Sequence, residues 1–195
     1  MAAEAAESQE VMYDDDAPDV RDILARMITL SGQTFLLAME PLSDDVFFAE
    51  QPNGFSAAWV TGHGACFPDL FSSWFTGERV LGDDFHAVFN ETAVVAAGPV
   101  SKAATVDRET YPKDLLMLRF REAGTKAIRT LRSFKLEEWY SQAPPGAPVG
   151  LLTAGSVWER LAVHTYWHNG ELAGSMPVFH GTYSLNIEPH HLYVP

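Results

Sequence analysis

Apolar residues recur at three- and four-residue steps in four separate stretches of the chain, and each reads as an amphipathic helix. The first spans residues 19–40, where Val20, Ile23, Leu24, Met27, Leu30, Thr34, Phe35 and Ala38 share a face. Pro18 fits near its start and Pro41 follows its end. The second spans residues 55–76, with Ser56 as cap and Gly77 as terminator. Its inward face carries Trp59, His63, Cys66, Phe67, Leu70, Phe71 and Trp74. Gly62, Gly64 and Ala65 keep the turn around His63 slim, so another helix can approach closely. Pro68 cannot donate to the Gly64 carbonyl, which predicts a kink there. The third stretch, residues 111–134, places Leu115, Leu116, Leu118, Phe120, Ala123, Ala127, Ile128 and Leu131 on one side, with Thr110 as its expected cap. The fourth runs over roughly 156–174, and Ser156-Val-Trp-Glu159 has the form of a capping box.

The connections are uneven. Residues 78–110 carry no strong period, apart from a short helix expected around Asp83–Phe89. A connection of that length lets the helices it joins run parallel, whereas short loops force antiparallel neighbours. Residues 141–155 are rich in proline and glycine and read as a loop. Four amphipathic helices with no strand alternation predict an all-α fold, a four-helix bundle with a long crossover between helices two and three.

Composition sets limits on this picture. The 195 residues suffice for one domain with a full core, and 47% of them are hydrophobic. The formal net charge of −13 argues against nucleic acid and anionic membrane as partners, since both require clustered Lys and Arg. Glu4, Glu7, Glu10, Asp14, Asp15, Asp16 and Asp19 concentrate acid near the start, so residues 1–18 read as a solvated, partly mobile leader. Residues 177–195 read as a tail packing on a domain at 19–176. The chain lacks a membrane-length apolar run, and Met1-Ala-Ala-Glu4 lacks the order of a signal peptide. The single cysteine, Cys66, excludes an intrachain disulfide framework. A cytoplasmic protein is expected.

The candidate chemistry lies in Leu161-Ala-Val-His-Thr-Tyr-Trp-His-Asn-Gly-Glu-Leu172. His164 and His168 are one helical turn apart and project together, on the side that also holds Val157, Leu161, Glu171 and Leu172. With His63 they are the only histidines on expected inward helix faces. Three neutral imidazoles can hold a divalent metal and leave coordination positions open for water or substrate. Spacing alone leaves a second reading open, in which these are satisfied core or interface histidines. Glu171 is one turn beyond His168, where it can orient a ligand, act as a base, serve as a fourth ligand, or close a helix end. Cys66 is one turn beyond His63 and is either a small core residue or a metal-proximal thiol. His86, His180, His190 and His191 lie outside the long helices and read as surface or tail-packing residues.

Trp59-Val-Thr-Gly-His-Gly-Ala65 and His164-Thr-Tyr-Trp-His-Asn-Gly-Glu-Leu172 resemble the two signature segments of the DinB/YfiT-like superfamily. Phe75-Thr-Gly-Glu78 at the end of helix two fits as well, and the resemblance covers about residues 19–176. It departs at Glu171, where glutamine is common, at Pro68, and in the tail after helix four. The resemblance implies a four-helix bundle in which His63, His164 and His168 bind a divalent metal, zinc or nickel. It also implies a metal-dependent enzyme that activates a small thiol or water against an electrophilic small molecule, as an S-transferase, isomerase or hydrolase. A low-molecular-weight thiol would then be cosubstrate. Glu171, placed by its helix position and not by the resemblance, is the candidate catalytic group. The competing expectation is a non-catalytic metal-binding or stress-response protein, with a homodimer through the helices as its expected assembly.

Overall fold

A computed structural model of the protein describes residues 19–52, 54–90 and 102–176. The acidic leader, the tail with His180, His190 and His191, and residues 91–101 of the long connection lie outside the described residues. Among those described there are six α-helices and no strand: α1 (Val20–Met39), α2 (Asp44–Phe48), α3 (Ala57–Thr76), α4 (Asp83–Phe89), α5 (Lys113–Ser133) and α6 (Ala154–Ser175). None is long and apolar enough to cross a membrane. The all-helical class expected from periodicity is observed.

The helix ends follow from local chemistry. The Asp19 carboxylate accepts from the N–H groups of Arg21 and Asp22 and starts α1. The Ser56 hydroxyl accepts from Trp59 N–H and starts α3, while Gly77 ends it in the left-handed conformation, φ 73°. Two ends differ from expectation. At α6 the cap is Thr153, not Ser156; the two residues form a reciprocal capping box, each side chain bonded to the other's N–H. The extra turn is possible because Ala154 and Gly155 donate their N–H groups to the carbonyls of Ser141 and Trp139. At α5 the cap position is Pro112 without a side-chain bond, since the Thr110 hydroxyl is held by the Asp107 carboxylate. The five-residue α2, capped by Ser43, is too short to show a period and was not expected.

The four long helices pack in pairs: α3 against α5 and α6, and α1 against the same two. Arg21 Nη1 donates to the Phe134 carbonyl at 2.8 Å and Lys113 Nζ to the Glu40 carbonyl at 2.9 Å, so α1 and α5 run antiparallel. Phe67 stacks on His164 and Phe75 on Trp158, so α3 and α6 are antiparallel as well. Gly64 lies against Phe120 and Asp69 faces Lys126, so α3 and α5 run in the same direction.

Burial follows the expected faces with a shift of phase in α1. Its buried line is Leu24, Ala25, Ile28, Ser31, Phe35, Ala38 and Met39, while Ile23 is 46% exposed. Apolar residues surround much of α1, so periodicity leaves the rotation loose and packing on two neighbours fixes it. Leu118 of α5, expected inward, is also exposed, and Met117 is buried instead. In α3 the turns from Ala57 to Cys66 are buried on every side, and the helix continues through Pro68. A helix enclosed all round holds its side chains rigidly, and this one carries His63.

Candidate metal centre

The structure brings His63 of α3 together with His164 and His168 of α6. One ring nitrogen from each lies within 4.8 Å of the others. Exposure is 1% for His63, 5% for His164 and 8% for His168. The antiparallel pairing of α3 and α6 sets His63 beside the turn that holds the histidine pair.

Hydrogen bonds at the outer nitrogens fix two of the rings. His63 Nδ1–H donates to the Phe89 carbonyl at 2.9 Å, so its lone pair sits on Nε2. His168 Nδ1–H donates to Glu171 Oε2 at 2.7 Å, with the same consequence. His164 Nε2 and His168 Nε2 are 3.2 Å apart. With His168 Nε2 as acceptor, a proton on His164 Nε2 satisfies that contact. A shared cation does so equally: two nitrogens about 2.0–2.1 Å from one zinc at the tetrahedral angle lie roughly 3.3 Å apart. Burial, and then the neighbouring His168 and His63, hold His164 well below its ordinary pKa, so it stays neutral and keeps a lone pair. Three imidazoles, two of them anchored through their outer nitrogens, fit a divalent ion.

Aromatic rings wall the cluster. Trp59 stacks on His63 at 4.7 Å and Phe67 stacks on His164 at 3.5 Å between centroids. Glu171 stands behind His168: Oε2 accepts from the histidine and Oε1 from Trp167 Nε1 at 2.7 Å. The His168 hydrogen bond leads the causes that lower the Glu171 pKa, so the carboxylate is held ionised. Trp167 itself is 62% exposed, unlike the buried Trp59 and Trp158. Cys66 is not part of the cluster; it is buried in the apolar core, and burial pushes its thiol pKa up.

The glycines beside His63 have defined tasks. A Cβ on Gly62 would lie 2.2 Å from the Phe89 ring, and one on Gly64 would lie 2.7 Å from Phe120. The missing side chain at Gly62 thus lets α4 close on α3 and deliver the Phe89 carbonyl to His63. Gly62→Ala should cost about 1–3 kcal/mol through overpacking, even though alanine is the better helix former. It should also weaken metal binding roughly 10–100-fold by displacing the outer partner of His63. Thermal unfolding and a chelator competition on the same preparation check both effects; an unchanged melting temperature would contradict the first.

A second polar cluster lay beyond sequence reasoning. His86, expected at the surface, is 6% exposed and its Nε2 lies 2.9 Å from Asp69 Oδ2. Asp69 also accepts from Val80 N–H at 2.8 Å and Leu81 N–H at 3.2 Å, and Lys126 Nζ lies 3.7 Å away. This cluster ties α4 and the turn before it to α3 and α5. Its only trace in the sequence is an acid inside an apolar helix. No protein-family model matches the chain, and no curated protein or solved structure matches it at a significant level.

Proposed function

We propose that the protein is a DinB-like four-helix bundle, with a crossover joining α3 and α5, and that it works as a divalent-metal enzyme on small molecules. The observation that carries this reading is the convergence of three buried imidazoles, two of them oriented through their outer nitrogens. A divalent ion held by His63, His164 and His168 would lower the pKa of a thiol or water and so supply a nucleophile near neutral pH. The chain's own contribution is orientation. The Phe89 carbonyl sets the tautomer of His63, and Glu171 sets that of His168 and makes it a stronger donor. Trp59 and Phe67 keep the rings in place and reduce water around them. A small thiol as cosubstrate and an electrophilic small molecule as substrate complete the proposal; zinc and nickel are among the ions an imidazole set suits. Metal analysis of protein purified without added metal, followed by a thiol-transfer and hydrolysis screen, tests it. Less than one tenth of an ion per chain after reloading would sink it.

The deep burial of the three rings favours one alternative, a non-catalytic metal-binding protein. Neither a cavity of about 450 Å³ between α1 and α5 nor one of about 620 Å³ within the loop from Gln142 to Leu152 is lined by a histidine of the cluster. Stable metal binding with no turnover in the screen would select it.

Glu171 separates two roles. Both its oxygens are engaged by His168 and Trp167, which supports orientation of the ligand over proton abstraction. Glu171→Gln should then lower metal affinity roughly 10–100-fold, with activity following occupancy. Turnover falling about 10²–10⁴-fold at full occupancy would instead mark a general base. Metal stoichiometry and rate measured together decide the matter.

A further inference from the structure

A cavity of about 450 Å³ opens between α1 and α5, within the size range of small-ligand sites. Its floor includes Gly64, Pro68, Leu161 and Thr165 of α3 and α6. Gly64 and Thr165 directly follow His63 and His164, about 100° further round each helix, so the cavity lies on a different face from the cluster. Its walls are apolar at Ile28, Leu36, Phe120 and Ile128.

The rim is cationic. Arg121, Arg129 and Arg132 all line the cavity, three of the thirteen Lys and Arg in a chain of net charge −13. None of the three forms an ion pair among the described residues. Arg129 and Arg132 stand on successive turns of α5 and can close on one anionic head. Arg121 is two to three turns away, about 12–16 Å along the axis. The antiparallel pairing puts Gln33 of α1 at that end. Gln33 lines the cavity, and its buried Oε1 has no hydrogen-bond partner among the described residues. A buried acceptor left unmatched is costly, and a turn of the amide toward the cavity would present it to a ligand hydroxyl.

We infer that this cavity binds an amphipathic carboxylate whose far end carries a hydroxyl, with the head on Arg129 and Arg132, the chain on the apolar walls and the hydroxyl at Gln33. The inference is independent of any metal at the histidine cluster. Gly124 supplies a clean way to block the cavity: it lines the space, and a Cβ there would meet nothing within 4 Å.

The test is calorimetric titration of the full chain with 10-hydroxydecanoate, decanoate and 1,10-decanediol. We expect saturable binding of 10-hydroxydecanoate at one per chain, with decanoate weaker and the diol weaker by about tenfold or more, the scale of a lost charge-assisted bond. Arg129→Gln and Arg132→Gln should each weaken it by a similar factor. Gly124→Leu should abolish binding while keeping the wild-type helical circular dichroism, and His168→Ala should bind as wild type does. Absence of saturable binding below millimolar concentration, equal binding of the diol, or full binding by folded Gly124→Leu would each overturn the inference. The arginine variants keep the question decidable should Gly124→Leu not fold.

Discussion

His168→Ala protein is expected to emerge from purification and reloading with almost no metal, and the wild type with one ion per chain. His168 is held from behind by Glu171 and faces His164 Nε2 at 3.2 Å, so its removal opens the cluster at its centre. Losing an outer partner of a ligand costs roughly 10–100-fold in affinity, and losing the ligand should cost more than that. The effect also reads out as stability. An ion present at 100 times its dissociation constant stabilises the folded chain by about 2.7 kcal/mol, if the unfolded chain does not bind it. For a chain of this size that is a rise of roughly 5–10 °C in melting temperature. Wild-type protein should show the rise on metal addition and lose it with a chelator, whereas His168→Ala should show neither. Equal metal content and an equal thermal shift in the two proteins would remove His168 from the site. The same pair of measurements on His63→Ala and His164→Ala assigns the remaining ligands.

What the sequence discloses about this chain depends on the range of the interaction. His164 and His168 sit one turn apart on one helix, a local relation that needs no tertiary knowledge. His63 is legible for a similar reason, as a polar ring amid apolar positions flanked by glycines. The helix boundaries fall within a few residues of those observed because caps such as Ser56 and Gly77 act on their own neighbours. The errors arise where a distant group decides. Ser141 and Trp139 lend carbonyls to the start of α6 and so move its cap to Thr153. The rotation of α1 is set by α5 and α6, which leaves Ile23 outside and Met39 inside. Asp69 and His86 are seventeen residues apart on different helices, and no periodicity relates them. Glu171 lies between these cases: its spacing from His168 was legible, but the competing claim of Trp167 on its other oxygen was not.

Asp69→Ala is expected to be the most destabilising single change outside the histidine cluster. The Asp69 side chain is fully buried, and its two oxygens serve His86, Val80 and Leu81, with Lys126 nearby. Removing the carboxylate leaves two backbone N–H groups and an imidazole without their acceptor in a dry region. Breaking a buried pair in this way costs about 3–5 kcal/mol, a large share of the stability of an ordinary domain. The melting temperature should fall by roughly 6–20 °C. The native carboxylate also predicts a dependence on pH. Burial alone would raise its pKa, but the His86 hydrogen bond and the two backbone N–H groups outweigh burial and lower it. The folded value therefore lies below the unfolded value of about 3.9. The stability this contributes is complete above the unfolded value and disappears as pH falls through the folded one. Asp69→Asn retains the size but cannot titrate, and it turns one amide N–H₂ toward groups that need acceptors. It should be less stable than the wild type near neutral pH, and the gap should narrow as pH drops from about 5 toward 2. Chemical denaturation of wild type, Asp69→Ala and Asp69→Asn across that range measures both effects. A constant gap between wild type and Asp69→Asn would show that the carboxylate charge adds nothing, and an unchanged midpoint for Asp69→Ala at neutral pH would show that the cluster does not hold α4 in place.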